Sequence, residues 1–333
     1  MGMAALCLGR EGHEVGPSVV TASASSSEPK TWLGTTSKEW DASITGPEGP
    51  GFKWSRGDAA AFQVRCGPDY ATMKGKAPSA PAMYECIGVD VVRAGCPVKQ
   101  VLTRLVPVPS RGREWWRKGC MLPRILCIVT QLPYTTRGPS ANGVSNDPGC
   151  SVVATFAITQ AAVQAASAEV LPPAVRMMRD FSAAAGGQCN TDAGSMTPGV
   201  IKAIAIGENV KDMQAIPTLM QPAVYRYNGT PTLITRSGCT YRDPEGEWLE
   251  IDIDVRYWAY AARNALYYLR GCMPDAIIHL GFLVQAAEDD DMPEGIIGAC
   301  RIHGLDIMES PKLIDDPDDP DRRVDILPNP DVE

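Results

Sequence analysis

YRDPEGEWLEIDIDVRYWAYAARNALYYLRGCMPDAIIHLGFLVQAAEDDDMPEGIIGACRIHGLD, residues Tyr241 to Asp306, holds the clearest periodicity and punctuation in the chain. Leu249, Ile251, Ile253 and Val255 alternate with Glu250, Asp252 and Asp254. A period of two predicts a strand with one apolar and one acidic face. The turn residues Asp243-Pro244-Glu245-Gly246 join it to the preceding Leu233–Tyr241 segment as a hairpin. A helix is expected next. Trp258, Ala261, Ala262, Ala265, Leu266 and Leu269 form an apolar stripe, and Arg256, Tyr260, Arg263, Tyr267 and Arg270 form a second one. Gly271 and Pro274 stop it. Ala276–Val284 reads as a buried strand, Glu288–Asp291 as an acidic turn and Ile296–Ile302 as a last strand.

Working outward, Phe62–Val64, Tyr84–Val92, Arg124–Gln131 and Ser151–Gln160 read as further strands. Pro172 and Pro173 open a helix whose apolar side is Ala174, Val175, Met177, Met178 and Phe181. Gln100–Leu105 reads as a helical turn, and the alanine-rich run to Val170 as helix. Ile201–Met213 is expected to be helix or turn. Ala223–Tyr227 and Thr232–Tyr241 are expected to form a hairpin around Asn228-Gly229. Eight to ten strands joined by short turns, with two or three helices, predict an α+β fold with a mostly antiparallel sheet. Residues 1–38 lack periodicity and are expected to be disordered. The domain should span 39–308, and the Asp- and Pro-rich 309–333 should be a solvated acidic tail.

The 333 residues are 44% hydrophobic, enough for a sizeable core, and carry a net charge of -8. That charge argues against a general nucleic-acid binder, which needs a basic footprint. No apolar run reaches the roughly 18 residues of a membrane span. The eleven cysteines are scattered without a CxxC pair, and no signal peptide is visible, so reduced thiols and a cytoplasmic protein are expected.

The chain resembles a known family. Phe62, Val64, Arg65, Gly67, Tyr70, Lys74 and Lys76, the strand Leu249–Asp254, and Pro293, Glu294 and Gly298 are similar, in order, to motifs of the C-terminal domain of the plant Enhanced Disease Resistance-2 proteins. Cys66 departs from the pattern by separating Arg65 from Gly67, and Arg256, Arg263 and Arg270 stand on a helix that is small and apolar in the family. The resemblance brings no catalytic residue, and implies a role near lipids and membranes by association, hence a peripheral membrane location. With it the expected architecture becomes a curved antiparallel sheet packed on a long helix of the C-terminal half, Tyr257–Arg270, in the manner of helix-grip lipid carriers.

Several side-chain groups are candidate sites. Glu250, Asp252 and Asp254 place three carboxylates about 6.5–7 Å apart along one strand. They suit a divalent cation or acid–base work, or else a structural face balanced by arginines such as Arg65, Arg236, Arg242 or Arg301. Arg256, Arg263 and Arg270 with their tyrosines suit phosphate head groups, or an exposed face with tyrosine stacked under arginine. Trp115 and Trp116, flanked by Arg111, Arg113, Arg117 and Lys118, suit membrane insertion or ordinary packing. Arg65, Tyr70, Lys74 and Lys76 complete the set of ligand- or membrane-binding candidates. His279 reads as a core histidine rather than a base, and His303 has no partner at zinc spacing. No cofactor, metal or nucleic acid is expected. The leading expectation is a non-catalytic module that binds lipid or another hydrophobic ligand. A protein-interaction module and a metal-assisted hydrolase using the acidic strand are the alternatives.

Overall fold

A computed structural model describes residues 38–41, 51–94, 98–104, 108–138, 149–185, 200–309 and 312–313. The expected disordered start and acidic tail lie almost wholly outside these residues. The strands are β1 (Lys38–Glu39), β2 (Lys53–Arg56), β3 (Gln63–Arg65), β4 (Lys76–Pro78), β5 (Tyr84–Ala94), β6 (Ile125–Pro133) and β7 (Gly149–Ile158) in the first half. The second half adds β8 (Ile201–Gly207), β9 (Thr232–Ile234), β10 (Gly238–Arg242), β11 (Trp248–Asp254), β12 (Ile277–Val284), β13 (Ile296–His303) and β14 (Lys312–Leu313). The helices are short: α1 (Tyr70–Met73), α2 (Val101–Arg104), α3 (Gln160–Ala166), α4 (Pro173–Ala184), α5 (Gln221–Tyr227) and α6 (Tyr260–Leu269).

The alternation that opened the sequence reading forms β11, hairpinned to β10 as expected, with Thr240 opposite Ile251. Its other neighbour is β6, which runs parallel to it with Ile128 beside Ile251. The main path of the sheet is β10-β11-β6-β7-β5-β13-β12-β8-β9. The expected mostly antiparallel sheet is therefore corrected to a mixed one, since β11 with β6 and β13 with β5 are parallel. Turn chemistry reports only on strands adjacent in sequence. These two parallel pairs join strands more than a hundred residues apart, which no local signal marks.

The sheet curls into a nearly closed barrel. Its two path edges, β9 and β10, are consecutive in sequence and separated only by residues 235–237. Side chains from both halves of the path meet inside: Ile253 and Leu132 from one half, Leu280 and Ala203 from the other, line one cavity. Glycines permit the curvature where bulk would collide. A Cβ on Gly281 would lie 2.7 Å from the Phe62 ring, and one on Gly298 3.0 Å from Phe156.

The principal apolar core fills the barrel interior, with Leu126, Ile128, Phe156, Leu249, Ile251 and Phe282 fully or almost fully buried. Helix α4 adds Val175, Met177, Met178 and Phe181 to it, so the Pro-initiated amphipathic helix buries the face expected of it. The expected long helix is overturned. Residues 255–275 divide into a 3₁₀ turn at Val255–Tyr257, the ten-residue α6 and a second 3₁₀ turn at Arg270–Asp275. No residue of α6 is fully buried, so it cannot be the helix around which a sheet is packed. Three of its stripe positions are alanine, which bury too little apolar area to hold a helix against a sheet. Two further expectations fail. Ile201–Met213 begins as strand β8, and Ala223–Tyr227 belongs to helix α5 rather than a hairpin. In β8 the residues Ile201, Ala203 and Ala205 fit either period, and pairing with β12 decides for strand.

Candidate functional site: an apolar cavity in the barrel

Period-two alternation determines which side chains enter the barrel. Thr130 and Leu132 of β6, Val152 of β7, Ile253 of β11, Ile278, Leu280 and Phe282 of β12, and Ala203 of β8 share the inward face. Between them lies a cavity of about 240 Å³. Most of its wall is aliphatic or aromatic, and its polar contributions come from Thr130, Thr230 and Thr232. One end includes the core residues Phe282, Ile302 and Leu305, and no α4 side chain lines the cavity. At the other end the wall consists of Tyr227 of α5, Thr230, Trp258, Leu266 of α6 and Met273. Tyr227, Thr230 and Ala205 are exposed there, so the cavity opens beside α5. No Asp, Glu, His, Lys, Arg, Ser or Cys lines it. The wall supplies shape and apolar contact, which suits a hydrophobic ligand.

The three acidic residues of β11 point the other way, onto the outer face. There they lie under the segment that leads into α2. Both carboxyl oxygens of Glu250 accept hydrogen bonds from the first amides of α2, Val101 N at 2.7 Å and Leu102 N at 2.9 Å. Gln131 donates to the Val98 carbonyl at 2.6 Å, and the guanidinium of Arg256 grips both oxygens of Asp254 at 2.8 and 2.6 Å. Asp252 lies against the Glu250 carboxyl and the Gln100 backbone, and no cationic side chain of the described residues bonds to it. Burial pushes the Glu250 carboxyl above its ordinary range, offset in part by the α2 amides. Burial, reinforced by the neighbouring Glu250 charge, pushes Asp252 well above its range. Glu250 and Asp252 are buried in a packed layer with Val129, Val153 and Trp248 nearby, not in a cleft. Among the described residues no group of three or more His, Cys, Asp or Glu side chains is arranged to hold a metal. The arginines expected to balance this face lie elsewhere: Arg65 pairs with Glu294 and Arg301 with Glu208, while Arg242 donates to the Ala183 carbonyl.

The remaining candidates disperse over the molecule. Arg256 is buried, and Arg263 donates to the carbonyls of Thr136, Arg256 and Trp258. Arg270 reaches the Tyr134 carbonyl and stacks 4.1 Å from the Tyr267 ring centre. These two arginines clamp residues 134–136 against α6. Trp115 and Trp116 are half-buried, and their indole N–H groups donate to the carbonyls of Ile158 and Leu122 at 2.8 and 2.9 Å. The surrounding basic loop is answered by acids, Lys118 by Glu245 and Arg113 by Glu247. Tyr70 is half-buried between Arg65 and Lys74, whereas Lys74 and Lys76 are exposed. His279 is buried against the edge of the Phe62 ring, and burial lowers its pKa to about 4. Seven described cysteines carry free thiols, whereas Cys239 is disulfide-bonded.

Sequence reading missed the group that ties the motifs together. Glu294 is buried, and its carboxylate receives Arg65 at 2.5 Å, Lys202 at 2.7 Å and the Ala286 amide at 3.0 Å. Burial would raise its pKa, but the bonds from Arg65 and Lys202 outweigh that and hold it below the usual carboxylate range. Arg65 and Glu294 both stood in the motif comparison, and their joint presence was the available signal. Lys202 sat in a segment read as helix or turn and gave none.

The motif residues thus converge on one barrel through Arg65, β11 and Glu294. Comparison with curated proteins and with solved structures yields no match in either case. Residues 54–306 match the family described as Protein ENHANCED DISEASE RESISTANCE 2, C-terminal. That span runs from β2 to just past β13 and covers most of the chain, so the protein belongs to this family of C-terminal domains.

Proposed function

We propose that the protein is a non-catalytic binding module whose barrel cavity accommodates the apolar part of a lipid or a similar hydrophobic molecule. The supporting observation is the cavity itself, about 240 Å³ of space inside a curled sheet, walled by side chains such as Leu132, Leu280 and Phe282 and open beside α5. An apolar wall whose hydroxyls come from three threonines and Tyr227 binds by area and shape, and it carries no carboxylate, histidine, lysine, serine or cysteine. No helix among the described residues is long and apolar enough to cross a membrane. A peripheral relation to lipid fits such a chain, and a cytoplasmic location is part of the proposal.

The test fills the cavity. Ala203 lines it from β8, and Ala203→Phe places a ring in that space. A fluorescent fatty-acid probe should gain intensity with the wild-type protein and lose it when an unlabelled fatty acid competes. The Ala203→Phe variant, folded by circular dichroism, should show at least roughly tenfold weaker uptake. Uptake equal to wild type in that folded variant would sink the proposal.

A further inference from the structure

The open end of the cavity carries an unusual surface. Of the eleven exposed large hydrophobic side chains among the described residues, seven lie between Leu219 and Leu233 or on α6. Leu219 is 90% exposed, Tyr260 63% and Tyr268 55%. These two segments are neighbours. Val224 of α5 and Leu269 of α6 pack on the same small cluster of Ile216, Cys272 and Ala276, and both helices contribute to the cavity wall. Scattered single exposed apolar residues need no explanation, but a concentration around one opening marks an interaction surface.

The charge of these segments differs from that of the chain. Residues 213–242 hold Arg226, Arg236 and Arg242 and no aspartate or glutamate. Residues 255–274 hold Arg256, Arg263 and Arg270 and again no acid. The whole chain has a net charge of -8. Arg226, beside the wall residue Tyr227, and Arg236, between β9 and β10, are exposed, whereas Arg256 is already committed to Asp254. Tyrosines with an apolar ring and a polar tip, interleaved with arginines, match the interfacial zone of a bilayer. An anionic surface adds attraction for the arginines.

We infer that the α5–α6 face docks the cavity mouth onto an anionic lipid bilayer. The rings enter the head-group zone and the arginines meet lipid phosphates or carboxylates. The purpose of this docking rests on the ligand-binding reading, but the face is tested separately. A ligand then passes between bilayer and cavity without crossing water.

The experiment floats the full-length protein with phosphatidylcholine vesicles that do or do not contain phosphatidylserine. Wild-type protein should float with the phosphatidylserine vesicles, and added salt should weaken this. The variant Leu219→Ser/Tyr225→Ser/Tyr260→Ser/Tyr268→Ser changes exposed residues that do not line the cavity, so its fold and its probe uptake should persist. Its vesicle partition should drop roughly tenfold or more. The distant exposed pair Met73→Ser/Val170→Ser should leave partition unchanged. Absence of wild-type flotation overturns the inference, as does equal flotation of the fourfold variant. So does a wild-type dimer that the fourfold variant converts to monomer, because the face would then join two copies. Ala203→Phe should lose probe uptake and keep flotation, so failure of the cavity reading and failure of the docking reading give different results.

Discussion

At the scale of single residues, the buried charges divide into answered and unanswered ones. Glu294 is answered by Arg65, Lys202 and a backbone amide. Removing one member leaves a charge in the interior without its counterion. Arg65→Gln and Glu294→Gln should each cost about 3–5 kcal/mol in urea denaturation. Wild-type stability in either would show the triad to be dispensable. Asp252 is the opposite case, buried against the Glu250 carboxyl with no cationic side chain of the described residues bonded to it. Its folded-state pKa lies above the unfolded one, so the folded protein holds the extra proton. The stability it allows is present below the ordinary carboxylate range and falls as pH rises toward the folded pKa. The loss approaches about 1.4 kcal/mol for each pH unit crossed within that window. Asp252→Asn should therefore be the more stable protein near about pH 8 and gain little near about pH 5. Chemical denaturation at both pH values checks this, and a pH-independent difference would contradict it. Glu294 has the reverse sign, since its lowered pKa contributes stability that is lost as pH falls.

At the scale of elements, one close approach sets a strand glycine against an aromatic ring. Gly281 of β12 lies under Phe62, which also touches His279. Gly281→Ala should cost about 1–3 kcal/mol by pushing the ring aside. Phe62→Leu combined with it should recover part of that loss, which a double-mutant cycle measures. Strict additivity would mean that the ring and the glycine are not coupled. The strands themselves were legible in the sequence. β11, β12 and β13 occupy nearly the residues that period-two alternation and uninterrupted apolar runs predict, and α4 follows its proline start. The errors fall where local periodicity is ambiguous. Ile201–Gly207 mixes small and branched residues, and its pairing partners β12 and β9 lie outside any local window. Residues 256–270 carry a regular Arg/Tyr spacing, yet Arg256 and Arg270 belong to flanking 3₁₀ turns that the spacing does not distinguish from α-helix. Their guanidinium groups meet Asp254 and the Tyr134 carbonyl, partners outside the stripe that drew attention to them.

At the scale of the whole molecule, ligand and fold are linked by mass action. A fatty acid that fills the cavity binds the folded chain alone. At about a hundredfold excess over its dissociation constant it should add roughly 2.7 kcal/mol to unfolding, read as a rise in melting temperature. Ala203→Phe should abolish that rise, and an equal rise in both proteins would place the ligand elsewhere. The family motifs, the acidic β11, most strands and the absence of a long apolar span were present in the sequence. These depend on residue type and short-range period, which the chain carries by itself. The cavity, the inward or outward role of each strand face and the partner of each charge were not. The parallel contact of β6 with β11 and the near meeting of β9 with β10 arise only when distant segments curl into one barrel. That closure turned the acidic strand outward beneath α2 and placed α6 at the rim of an apolar space, because a curved sheet has an inside that no single strand can specify.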